Sequence, residues 1–64
     1  MPILYKITVQ EMSNPHTSDS GMFYTNSYED ACIEALDHFA AQLHTTPKYL
    51  EIIEATEVPN NPNP

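Results

Sequence analysis

Ile3, Tyr5, Ile7 and Val9 alternate with Leu4, Lys6, Thr8 and Gln10 at the start of the chain. A period of two, with three β-branched residues on the first side, predicts a β-strand that buries one face. Leu4 interrupts the polar side and predicts partial cover there. The stretch MSNPHTSDSG that follows is rich in turn formers, Asn14-Pro15 and Asp19-Ser20-Gly21. Gly21 is the only glycine, so a backbone position with positive φ is expected at it. Residues 22–25 (MFYT) return as a short second strand, and the two strands predict a hairpin with a long polar loop.

The pattern then changes period. Tyr28, Cys32, Ala35, Leu36, Phe39 and Leu43 recur at the i, i+3, i+4 spacing of one helix face, with Glu34, Asp37, His38, Ala41 and Gln42 on the other. Asn26 with Glu29, or Ser27 with Asp30, supplies an N-cap followed three residues later by an acid. Acids in the first turn suit the positive end of the helix dipole, and His38 and His44 lie toward its negative end. Pro47 ends the helical pattern.

Residues 47–57 (PKYLEIIEATE) admit two readings. As a helix, Thr46 caps and Pro47 takes the first position. As a strand, Leu50 and Ile52 share a face with Glu54 and Thr56, while Tyr49, Ile53 and Ala55 sit opposite. Tyr49, Ile52 and Ile53, with Val58 just beyond, favour the strand. The closing PNNPNP has no apolar anchor and is expected to be an exposed, flexible tail over 59–64. The expected fold class is therefore α+β: a β-β-α-β domain over residues 1–58, its three-stranded sheet packed on one amphipathic helix. The first and third strands are expected to be parallel neighbours joined by a right-handed crossover. One face of that sheet is left without a second layer.

Composition narrows what such a domain does. Sixty-four residues make one domain at most, and a chain this short hides only about 60% of the surface its unfolded form exposes. The single cysteine, Cys32, excludes an internal disulfide and is expected to be a small buried hydrophobe. Partner support, through a homodimer or a docked protein, is the natural substitute. Two lysines, Lys6 and Lys48, stand against nine acids for a formal net charge of −7. Two lysines cannot build the basic face that phosphates require, so direct nucleic-acid binding and attachment to anionic membranes are not expected. No apolar run approaches the roughly 18 residues of a membrane span. An unpaired cysteine suits a reducing, cytoplasmic location, in the producing cell or in a host.

Motifs for catalysis are not found. One glycine cannot form a phosphate-cradling loop. Glu34 and His38 share a helix face at i, i+4, with His16 and His44 elsewhere, and such acid-histidine pairs are ordinary solvated contacts; no metal and no cofactor are expected. Ser20 and Ser27 are explained by a turn and a cap, and carboxylates on the wet side of a helix lack the desolvation that acid–base work needs. The chain is not expected to be an enzyme.

What remains is a recognition surface. Glu29, Asp30, Glu34 and Asp37 form one acidic patch, Glu51, Glu54 and Glu57 another, and Tyr24 and Tyr28 bracket the turn into the helix. Tyrosine is favoured at protein interfaces, and the acids complement a basic partner surface. Glu29, Asp30, Glu34, Asp37, Tyr24 and Tyr28 are therefore the candidate partner-binding residues. In size, acidity and lack of chemical motifs the chain resembles small virus-encoded or mobile-element proteins that bind and block a host enzyme. The reading is a protein-binding module that modulates or inhibits its partner. The alternatives are a structural accessory subunit, and a nucleic-acid mimic occupying a basic site.

Overall fold

A computed structural model describes residues 2–14 and 16–59. Three strands, β1 (Ile3–Glu11), β2 (Ser18–Thr25) and β3 (Leu50–Glu57), form an antiparallel sheet in the order β2-β1-β3. One helix, α1 (Tyr28–Gln42), packs on it, and a single 3-10 turn, Pro47–Tyr49, leads into β3. The expected tail over 59–64 lies, beyond Pro59, outside the described residues.

The helix face of β1 is the one its alternation marks: Tyr5, Ile7 and Val9 are buried. Against them lie Phe23 of β2, Leu50 of β3, and Ala31, Ala35, Phe39 and Ala40 of α1. The three alanines let the helix backbone approach the sheet, while Phe39 fills the remaining depth. Its ring meets Phe23 edge to face at 5.7 Å between centroids, a geometry that aromatic pairs favour.

Both helix ends are set by local chemistry. The Ser27 hydroxyl accepts a hydrogen bond from the Asp30 amide at 3.1 Å, an N-cap whose loss costs about 1 kcal/mol. Buried Thr25 donates its hydroxyl to the Ser27 carbonyl at 2.7 Å, tying the end of β2 to that cap. At the other end the Thr45 amide donates to Ala40 O (2.8 Å) and the His44 amide to Ala41 O (3.4 Å). This is a Schellman closure with His44 at φ 58°, the left-handed position usually given to glycine.

Several expectations need correction. Strands β1 and β3 are antiparallel, not parallel. Because β2 reverses the chain, a helix returning over the sheet delivers β3 in the direction of β2, not of β1. Asp19-Ser20-Gly21 is not a turn but part of β2, which begins at Ser18. The hairpin instead closes between Glu11 and Thr17, where the Glu11 amide donates to Thr17 O at 3.0 Å. Gly21 does not have positive φ. Tyr28 is half exposed (51%) and Cys32 only half-buried, whereas Ala31 and Ala40 are in the core.

Both readings of residues 47–57 hold part of the truth. Thr46 is the N-cap residue and Pro47 opens the 3-10 turn, after which the chain becomes strand. The apolar residues on both sides of β3 have a specific cause. Val9 pairs with Ile52 and Thr8 with Glu54, leaving Ile53 as the extra residue of a β-bulge. The bulge shifts the phase by one, so Ala55 joins Leu50 and Ile52 toward the helix and Glu54 turns to the open face.

Candidate functional site

The sheet has two unlike faces. Toward α1 it is dry. On the other side Lys6, Thr8 and Gln10 of β1 stand beside Ser18, Ser20, Met22 and Tyr24 of β2, and Glu51, Glu54 and Thr56 of β3. Among the described residues no second layer covers this face. It is polar over most of its length, and the Thr8 hydroxyl donates to Glu54 at 3.4 Å. The apolar part lies at one end, where half-buried Leu4 pairs with Tyr24 and Lys6 with Met22. Tyr24 is 61% exposed and Met22 57%.

That end meets the helix. A cleft of about 380 Å³ lies between the end of β2 and the first turns of α1, lined by Pro2, Tyr24, Thr25, Asn26, Asp30, Ile33 and Glu34. Ile33, also 61% exposed, gives the cleft an apolar patch on its helix side. Asp30 and Glu34, one turn apart, put two carboxylates on its rim.

Beyond the cleft the same helix flank follows β2. His38 sits edge to face on Phe23 at 5.8 Å, and the Gln42 amide donates to the Asp19 carboxylate at 3.1 Å. Asp30, Glu34, His38 and Gln42 therefore form an i, i+4 line along the β2 side of the helix.

The six candidate residues separate. Tyr24, Asp30 and Glu34 come together in the cleft. Glu29 and Asp37 are exposed on the helix but do not line it. Tyr28 is elsewhere: its ring meets Tyr5 edge to face at 5.9 Å. Its phenol is raised above the ordinary value of 10.0, chiefly by a side-chain hydrogen bond with Cys32, with the charges of Cys32 and Tyr5 adding to the effect. Tyr28 thus stands at the helix start, half exposed, and does not line the cleft.

Ile33 and Met22 belong to the surface and are not among the residues the sequence singled out. Ile33 had a signal: it is an apolar residue among acids, off the core stripe. The lysines lie apart from the cleft, Lys6 on β1 and Lys48 over the Tyr49 ring at 5.1 Å. Among the described residues no group of three or more histidine, cysteine or acidic side chains is placed to hold a metal, and no helix is long and apolar enough to cross a membrane.

The chain matches none of the protein families, curated proteins or solved structures with which it was compared. The surface must be read from its own chemistry.

Proposed function

We propose that this chain is a small acidic protein-binding module that modulates or inhibits a partner protein. The observation that carries the reading is the pairing of Tyr24 and Ile33, each more than half exposed, in the cleft rimmed by Asp30 and Glu34, with exposed Met22 two residues before Tyr24 on the same sheet face. Scattered apolar residues on a surface need no explanation, but an aromatic and an isoleucine sharing an open cleft, with a methionine on the adjoining sheet face, have the make-up of an interface centre. Carboxylates at the rim speed encounter with a basic surface and help to set orientation.

The nucleic-acid mimic draws less support. It needs a rigid row of carboxylates at phosphate spacing, whereas only two of the four helix acids share the cleft. A structural accessory subunit would use the same apolar cluster without needing the acids, so the charges discriminate.

The test is affinity capture from the native source with the wild-type chain, Tyr24→Ala, and the double variant Asp30→Lys/Glu34→Lys. One identified protein captured by wild type, lost on Tyr24→Ala and weakened by charge reversal in low salt, is the expected result. Capture unaffected by any of these substitutions in folded variants overturns the reading. Loss on Tyr24→Ala alone assigns the surface to a structural contact instead.

A further inference from the structure

The two edges of the sheet are protected very differently. β3 carries Glu51, Glu54 and Glu57 and the bulge at Ile53. Charges and bulges are the devices by which an edge strand discourages further pairing. β2 has neither from Ser20 to Thr25: this segment holds no charge, no proline and no break in its register with β1. Its one charge, Asp19, is engaged by Gln42.

The hydrogen-bonding groups of that edge face outward. The Ser20 amide donates to its neighbour's carboxylate, Asp19, at 3.0 Å, which turns it away from β1. Alternation along the strand places the backbone groups of Met22 and Tyr24 on the same outer edge. We propose that the β2 edge accepts an extended segment of a partner protein as a fourth strand, one carrying Lys or Arg at every second position.

The chemistry of the segment follows from the two sides of the site. Side chains of an added strand alternate between the sheet's faces. Those on the helix side run beneath Asp30, Glu34 and His38, and a basic residue there reaches the cleft and its carboxylates. Those on the other side meet Met22 and Tyr24, which suit aliphatic groups. Main-chain pairing supplies affinity and the alternate side chains supply selectivity, as in other cases of strand addition. A second copy of this chain is the poorer occupant, because docking would bring together two bodies of net charge −7.

This inference rests on the protein-binding reading and names the partner's chemistry. The probe is a blocked nine-residue peptide alternating Val and Lys, titrated into the isotopically labelled full chain and followed by amide chemical shifts. Binding is expected to move the Ser20, Met22 and Tyr24 amides. It should weaken about tenfold in Asp30→Asn/Glu34→Gln, at the level of a few-fold for each exposed charge pair. Replacing Lys by Glu in the peptide, or methylating the backbone nitrogens that face β2, should abolish it.

Binding that survives backbone methylation reduces the contact to charge alone and overturns strand addition. No binding at millimolar peptide, shifts confined to β3, or concentration-dependent shifts at β2 without peptide, which would mean a second copy, overturn it equally. A partner captured through Tyr24 and Asp30 whose contact spares the β2 edge would end this inference and leave the protein-binding reading standing. Absence of any cleft-dependent partner would end that reading as well.

Discussion

Gly21 lies under Phe39 so closely that a methyl group on its Cα would stand 3.2 Å from Cζ of the ring. The same carbon would meet Cε2 of Phe23 at 3.4 Å. The only glycine of the chain is therefore a close-approach residue: it lets the helix aromatic settle on β2 beside Phe23.

Gly21→Ala should consequently destabilise the fold, although alanine suits a strand better than glycine. Overpacking costs about 1–3 kcal/mol and the backbone gain returns about 0.5–1. A net loss of about 1 kcal/mol corresponds to a fall of roughly 4–8 °C in Tm for a domain this small. Thermal unfolding followed by circular dichroism measures it, and an unchanged or higher Tm would show that Phe39 moves aside freely.

His44→Gly is expected to act in the opposite direction. His44 holds φ 58° to close the Schellman turn, a conformation costing about 1–2 kcal/mol for a residue with a Cβ. Glycine removes that cost but adds unfolded-state entropy of about 0.4–1 kcal/mol. The variant should gain about 0.5–1 kcal/mol in denaturant unfolding at neutral pH. A loss of stability would mean the imidazole contributes more to the helix end than its strained backbone costs.

The β3 bulge makes a prediction that strict alternation reverses. Counting by twos from Ile52 puts Glu54 inward and Ala55 outward; the observed pairing puts Ala55 opposite fully buried Ile7 and Glu54 opposite Thr8. Ala55→Asp should therefore cost about 1–2 kcal/mol by setting a carboxylate on the partly buried helix side of β3. Glu54→Ala should stay within about 0.5 kcal/mol. Equal costs, or the reverse order, would remove the bulge.

Tyr28 offers a pH test. Its phenol is raised by the hydrogen bond with Cys32, so the neutral form is favoured in the folded state. The stability this supplies is complete below the unfolded value near 10.0 and is lost as pH rises through the higher folded value. Ultraviolet titration of wild type against Tyr28→Phe isolates this phenol among the four tyrosines. Cys32→Ala should lower its midpoint; an unmoved midpoint would show that the thiol does not hold it.

These results separate what the sequence makes legible from what only tertiary contact decides. The β1 alternation and the Ser27 cap are local patterns, and both appear where the residues place them. The direction of β3 is not local: it follows from counting chain reversals, and β2 makes their number odd. The bulge at Ile53 and the close approach at Gly21 are also invisible to periodicity, since each depends on a residue in another element. The acidic patch shows the same limit. Four carboxylates on one helix look like a unit in sequence, but the cleft selects Asp30 and Glu34 because the end of β2 brings Tyr24 to them.

The most direct measurement of the central idea is residue-resolved amide hydrogen exchange, without and with the alternating Val-Lys peptide. In the free protein the Met22 and Tyr24 amides should exchange rapidly while Gly21 and Phe23, paired with β1, stay protected. With peptide, Met22 and Tyr24 should become protected too. Exchange at those two amides that is already slow in the free chain, or that stays fast when peptide is bound, would contradict an open edge built for recognition.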